Sequence, residues 1–304
     1  IAIRRGPMAV PTDATDVFNI AYRGTPETPP PTFNSGMVTD FAIWANTGTG
    51  PNEMNYRLSQ NVTLDVDATT SQHSQSSRSF DYMDGFGDFT GTNTAQLSWM
   101  WKRAPKFCDV VCYTGNGVAG RTVSHNLGVA PEMMWVKNRG ATASWAVYHK
   151  DVGNNKALVL DQTGASFNAN WWNSTTPTDS LFYIGGDEAT VNTSGNTYIA
   201  YLFASLDGVS KVGSFTYSGT TLNVDCGFTT GARFVLYKRY NTTGSWLVLD
   251  TERGINASAN DPVLYLNATD AEDSGYNLIE PYSAGFTISG NDVGNGDYIF
   301  YAIA

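Results

Sequence analysis

A polar, glycine-bearing turn that runs into an apolar strand occurs three times in this chain, and its spacing limits what the chain can fold into. The clearest copy is Gly-Asn-Thr-Tyr-Ile-Ala-Tyr-Leu-Phe-Ala at residues 195–204. The chain closes on Gly-Asn-Gly-Asp-Tyr-Ile-Phe-Tyr-Ala-Ile-Ala at 294–304, and a divergent copy, Gly-Thr-Asn-Thr-Ala-Gln-Leu-Ser-Trp-Met-Trp, lies at 91–101. Tyr198 and Tyr298 are 100 residues apart, Leu97 and Ile199 are 102 apart. Self-similarity at that interval, close to the size of one small domain, predicts an array of like units.

The remaining matches fill in the unit. A first strand is read at 18–24, 109–115 and 211–216, aligning Tyr22 with Tyr113 and Phe215. A glycine kink and a mostly apolar run follow at 33–44, 123–137 and 224–238; such runs suit strands buried on both faces. Trp145-Ala-Val-Tyr pairs with Trp246-Leu-Val-Leu, each preceded by a polar hairpin loop (138–142 and 240–244), whereas residues 46–55 replace this strand in the first copy. Further on, 62–65, 158–161 and 264–267 align, and 180–185 and 284–289 supply a penultimate strand. No window fits the helical period. The fold class is therefore all-β: tandem β-sandwich repeats of about 100 residues, jelly-roll-like in topology.

The units are expected at residues 14–105, 106–206 and 207–304. Residues 1–13 read as the closing strand of a preceding repeat plus a linker, because Ile1-Ala-Ile-Arg-Arg-Gly-Pro aligns without a gap on Trp99-Met-Trp-Lys-Arg-Ala-Pro. Short junctions between units predict a stiff rod of beads, each with its own core.

Composition removes several function classes. A net charge of −10 and a pI near 4.6 argue against nucleic-acid binding, which needs clustered Lys and Arg to displace counterions. No apolar run is long enough for a helical membrane span. Three cysteines build no disulfide framework, and Cys108 and Cys112 lie about 13 Å apart on one strand face, beyond bridging distance.

Candidates for chemistry are few. Ser124 and His125 are strand neighbours on opposite faces, so neither activates the other. His73, His125 and His149 have no metal-ligand spacing. Carboxylates gather in loops at Asp81, Asp84 and Asp88; Asp187 and Glu188; Asp270, Glu272 and Asp273; and Asp292 and Asp297. The oxygen-rich run Asn-Asp-Val-Gly-Asn-Gly-Asp at 291–297 has donors for Ca²⁺ as a cofactor, with a solvated turn as the alternative. A carboxylate pair flanking a cleft would instead indicate glycoside hydrolysis. Trp171 and Trp172 lie in a polar loop, 162–179, with no counterpart elsewhere in the chain. They are the candidate ligand contacts, for a glycan or a protein partner, the alternative being that they fold back to plug the end of the sandwich.

The runs Arg-Ala-Pro…Phe-Cys-Asp-Val-Val-Cys-Tyr-Thr-Gly-Asn-Gly (103–117), Val-Ser-His-Asn-Leu-Gly-Val-Ala-Pro-Glu-Met-Met-Trp-Val-Lys (123–137) and the 195–204 strand together resemble a family. It is the repeated domain of unknown function in tail-fibre-like and other virion structural proteins of marine and cyanobacterial tailed phages. The resemblance covers nearly the whole chain, strongly in the second and third copies and weakly in the first. It brings no catalytic residues. It implies a non-enzymatic structural protein of the virion surface, a tail fibre or similar appendage for host attachment. Homotrimers and contacts with other virion proteins are implied as well. The alternative is a carbohydrate-binding adhesin recognising host surface polysaccharide, and further off a depolymerase.

Overall fold

The computed structural model describes residues 8–24, 30–88, 95–186, 188–257, 259–289 and 292–304. The opening segment 1–7, the turn 91–94, Asp187 and Asn291 lie outside the described residues. The described chain is all-β, with antiparallel sheets and a single turn of 3-10 helix, Ala14–Asp16.

Three six-stranded sheets share one strand order. In spatial order the first is Phe18–Tyr22, Gln96–Trp101, Phe41–Asn46, Glu53–Tyr56, Val62–Asp65 and His73–Ser74. The second is Cys108–Thr114, Thr197–Phe203, Met133–Asn138, Ala146–His149, Lys156–Val159 and Phe167–Asn168. The third is Ser210–Tyr217, Gly296–Ile303, Phe234–Arg239, Trp246–Asp250, Asp261–Tyr265 and Asp273–Tyr276. The closing strand of each segment thus lies inside its sheet, hydrogen-bonded on both sides. That position explains its mostly apolar run, since a strand covered on both faces has little polar side to present.

Behind each large sheet stands a small one: Phe33–Asn34, Gly85–Asp88 and Arg78–Ser79; Arg121–Ser124 and Leu181–Ile184; Leu222–Asp225, Gly285–Ile288 and Ile279–Tyr282. We refer to each large sheet with its small sheet as a lobe. In the second lobe Tyr113, Val136, Tyr148, Phe182, Ile184 and Tyr198 fill the space between the two sheets. The first lobe fills it differently. There the register puts Arg23, not Tyr22, at the place of Tyr113, because Tyr22 pairs with Leu97 as Cys112 pairs with Ile199. The sequence alignment is therefore one residue out at this strand, and Tyr22 points outward at 39% exposure. Arg23 instead meets Asp88 at 3.4 Å, and Arg78 joins Asp88 (3.7 Å) and Glu53 while its guanidinium lies 4.5 Å from the centre of the Trp44 ring. A buried ionic network stands where the second lobe has tyrosines.

The three lobes do not form a rod of separate beads. The other faces of the three large sheets turn toward one another and share a continuous core. Phe41 packs on Tyr201 (ring centres 5.1 Å apart), Phe203 on Tyr301 (4.9 Å) and Phe234 on Trp101 (5.7 Å), so each lobe meets both others. The edges close with one repeated bond pattern. Between the first and second lobes, Ala143 N–H donates to Thr69 O (2.9 Å) and Gln72 N–H to Arg139 O (3.0 Å). Between the second and third, Gly244 N–H donates to Thr163 O (2.9 Å) and Ser166 N–H to Tyr240 O (2.8 Å). Between the third and first, Gly50 N–H donates to Thr269 O (2.9 Å) and Glu272 N–H to Thr47 O (2.8 Å).

A side chain seals each seam. Trp145 Nε1 donates to Asp65 O (2.7 Å), Trp246 Nε1 to Val159 O (2.8 Å), and Asn52 Nδ2 to Tyr265 O and Ala268 O (both 2.9 Å). Asn52, Trp145 and Trp246 hold one register position, immediately before Glu53, Ala146 and Leu247. The tryptophan absent from the first segment is thus replaced by an amide that performs the same bond. Lys137 and Lys238 brace the two tryptophan seams, donating to Ala143 O and Gly244 O (2.5 Å each). Short junctions joined to sheets with one uncovered apolar face favour this ring, because closure removes from water the face an extended rod would leave exposed.

Candidate functional site

The loop from the fifth to the sixth strand of the second lobe, and its continuation to Leu181, carries Trp171 and Trp172. The structure separates the two. Trp172 is 1% exposed, its indole edge-on to Tyr148 (5.7 Å) and its Nε1 donating to Lys156 O (3.0 Å). It plugs the end of the second lobe, which corrects its assignment as a free contact for ligand: burial there removes a large apolar surface from water and satisfies the one polar atom. Trp171 is partly buried against the same core and meets Phe167 edge-to-face, ring centres 5.3 Å apart and planes at 88°. Phe167 is 41% exposed.

The backbone fixes this arrangement from below. Gly185 N–H donates to Trp171 O (2.9 Å), and a Cβ on Gly185 would stand 1.9 Å from Asn170 O, so the loop can lie on this strand end only because the residue is glycine. The next turn holds Asn173 (φ 52°) and Ser174 (φ 48°) in the left-handed region, adjacent and neither a glycine. Asn170, Asn173 and Ser174 stand at its rim, with Ser174 Oγ 3.4 Å from Asn170 Oδ1. Sequence reasoning missed Phe167; the signal was its place in the same polar loop, ahead of the tryptophans.

Several of the other candidates are held in structural bonds. Thr178 O lies 3.3 Å from His125 Nε2, while Nδ1 accepts from Leu127 N–H; burial lowers its pKa. His149 is buried, and desolvation pushes its pKa down to about 3, so the ring stays neutral. Cys108 and Cys226 are buried and Cys112 is exposed, all three as free thiols. Asp88 is bound into the ionic network described above. Asp81 accepts from Gln60 and Ser79, Asp292 from Asn277 N–H, and Asp297 from Thr216 and Asn241. The 291–297 run is thus already bonded at both of its described carboxylates.

One cluster not legible in the sequence is Glu53, Asp65 and His73, whose ligand atoms lie within 4.8 Å of one another. Its donors suit a divalent cation in type, but Glu53 is bonded to Arg78 and Asp65 accepts from Thr70 (2.6 Å). Nearby Asp67 is raised to about 6 by burial while it accepts from Asn52 N–H. A groove of about 490 Å³ opens between residues 8–12 and Lys102–Ala104 and is lined by one carboxylate, Asp16, where a glycosidase pair needs two.

Residues 50–304 match the family model described as Domain of unknown function (DUF7483). The chain belongs to that family. The DUF7483 match takes in the whole of the second and third lobes and all of the first except the strands Phe18–Tyr22, Phe33–Asn34 and Phe41–Asn46, so it covers most of the ring. No curated protein matches the chain. Among the described residues no helix is long and apolar enough to cross a membrane.

Proposed function

We propose that this DUF7483 protein is a non-enzymatic structural component of the surface of a tailed-phage virion, a tail fibre or similar appendage used in host attachment. It is assembled in the host cytoplasm and contacts other virion proteins. The observation that carries the reading is the closed ring: three lobes of one strand order, joined by the same backbone bonds at each seam. We read the lobes as repeats of one unit of about 100 residues. Such a ring gives a single chain the threefold form that fibres otherwise obtain from three chains. The homotrimer implied by the sequence resemblance would have to form through outer surfaces, since the inner sheet faces are covered within one chain. We therefore take one chain as the threefold unit.

Rigidity supports the same reading. A shared aromatic core and backbone bonds at all three seams hold the outer surface in fixed geometry, which an attachment part needs if weak contacts are to add by avidity. The test is cosedimentation. In lysates where the chain is produced, it is expected to travel with intact particles through a density gradient and to be labelled on their surface by an antibody. A chain that stays with free protein at the top of the gradient contradicts the proposal.

A further inference from the structure

We propose that Phe167 and Trp171 form the aromatic floor of a binding site for a neutral glycan, with Asn170, Asn173 and Ser174 as its polar rim. The inference deepens the attachment reading and rests on it for its biological use.

Position comes first. The sixth strand is the outermost of each large sheet, and register places His73, Phe167 and Asp273 at one equivalent point, opposite Thr63, Ala157 and Val263. Of these three side chains only Phe167 is an apolar ring, and it meets a second ring, Trp171, in edge-to-face contact. An isolated exposed apolar side chain is ordinary, but this oriented pair shares its loop with Asn170 and Ser174, 3.4 Å apart, and with Asn173, whose amide donates to Thr175 Oγ1 (3.4 Å), which gives the loop two chemistries. A pyranose ring has the complementary pair: an apolar C–H face that stacks on an aromatic ring, and hydroxyls that exchange hydrogen bonds with side-chain amides, which both donate and accept.

Charge selects the class of sugar. Residues 162–178 contain no ionisable side chain, in a chain of net charge −10. Nothing in the loop would neutralise a sialylated, sulfated or uronic-acid glycan, and the field of the whole chain repels one. The strained pair Asn173 and Ser174 supports a placed polar rim. Glycine would occupy these left-handed positions at lower cost but would remove both side chains.

The chain supplies its own probe. Seven of its eight tryptophans are buried, and Trp171 alone is partly open. Acrylamide quenching of the unmodified protein therefore reads the site directly. On an array of neutral hexose and N-acetylhexosamine oligosaccharides, with acidic glycans alongside, binding to at least one neutral structure is expected, and that oligosaccharide should shield Trp171 from quenching. Phe167→Ala and Trp171→Ala should each weaken it by about tenfold, equivalent to 1.4 kcal/mol. Loss of binding with the melting temperature kept supports the site. If either variant fails to fold, the shielding measurement on the native protein decides. No binding to any neutral oligosaccharide at millimolar concentration, binding without shielding, or binding unchanged in both variants overturns the proposal. A chain that cosediments with particles yet binds no neutral glycan overturns this site and leaves the virion reading. Glycan binding through Phe167 and Trp171 without cosedimentation does the reverse.

Discussion

The Trp246 indole N–H donates to the Val159 carbonyl at 2.8 Å, from the third lobe into the second. A side chain that reads in sequence as ordinary core is thus also the clasp between two sheets. Trp246→Phe keeps most of the apolar bulk and removes the donor, leaving the half-buried Val159 carbonyl without it. A loss of about 1 kcal/mol in urea unfolding is expected, the usual net worth of one hydrogen bond. An unchanged midpoint and slope would show that the bond contributes nothing.

The third seam depends on an amide. Asn52 donates to Tyr265 O and Ala268 O, both 2.9 Å away, and so ties the last lobe to the first. Asn52→Ala removes both bonds at once and is expected to cost about 2–3 kcal/mol. Because this seam closes the ring, amide hydrogen exchange should rise at Gly50 and Glu272, whose N–H groups bond across it. Exchange confined to other parts of the first lobe would count against the assignment.

The ionic network in the first lobe makes a sharper demand. Arg78 is buried between Glu53 and Asp88. Arg78→Met leaves two carboxylates buried without it, and about 3–5 kcal/mol of stability should be lost. Thermal unfolding measures it. A variant as stable as the native chain would mean that water reaches these groups.

His149 makes the stability of the protein acid-sensitive. Its folded pKa is held near 3 by burial and then by Lys150, against an ordinary 6.5. Between those values the unfolded chain takes up a proton that the folded chain refuses, so stability falls as pH drops from 6.5 toward 3. Asp67 works in the opposite sense, its folded pKa near 6 lying above the ordinary 3.8, so it adds stability as pH falls through that interval. Comparing melting temperatures of the native chain and His149→Leu from pH 7 to 4 isolates the histidine. The native chain should lose more; parallel curves contradict the account.

Much of each lobe was legible in the sequence, because alternation and turn chemistry are local. Register was not. The alignment of residues 62–65 with 158–161 is two residues out, since pairing places Leu64 opposite Met54 as Leu158 lies opposite Val147, making Leu64 and Leu158 equivalent. A two-residue slip keeps every side chain on its face and leaves no trace in the hydrophobic pattern. The one-residue slip at Tyr22 did leave a trace, an aromatic turned outward, but only packing reveals it. Ring closure was hidden for a different reason. Its bonds run from backbone groups in variable loops and from Trp145 and Trp246, and neither pattern distinguishes a seam from a hairpin or a core. In the candidate site, the loop and Trp171 were legible, whereas burial of Trp172 depends on the distant Tyr148.

Closure of the three lobes is tested most directly by small-angle X-ray scattering of the purified chain in dilute solution. A compact chain of 304 residues has a radius of gyration of about 19 Å. Three beads of about 13 Å strung in line would give roughly 30 Å. The ring predicts the smaller value, independent of concentration, and the larger value would contradict it.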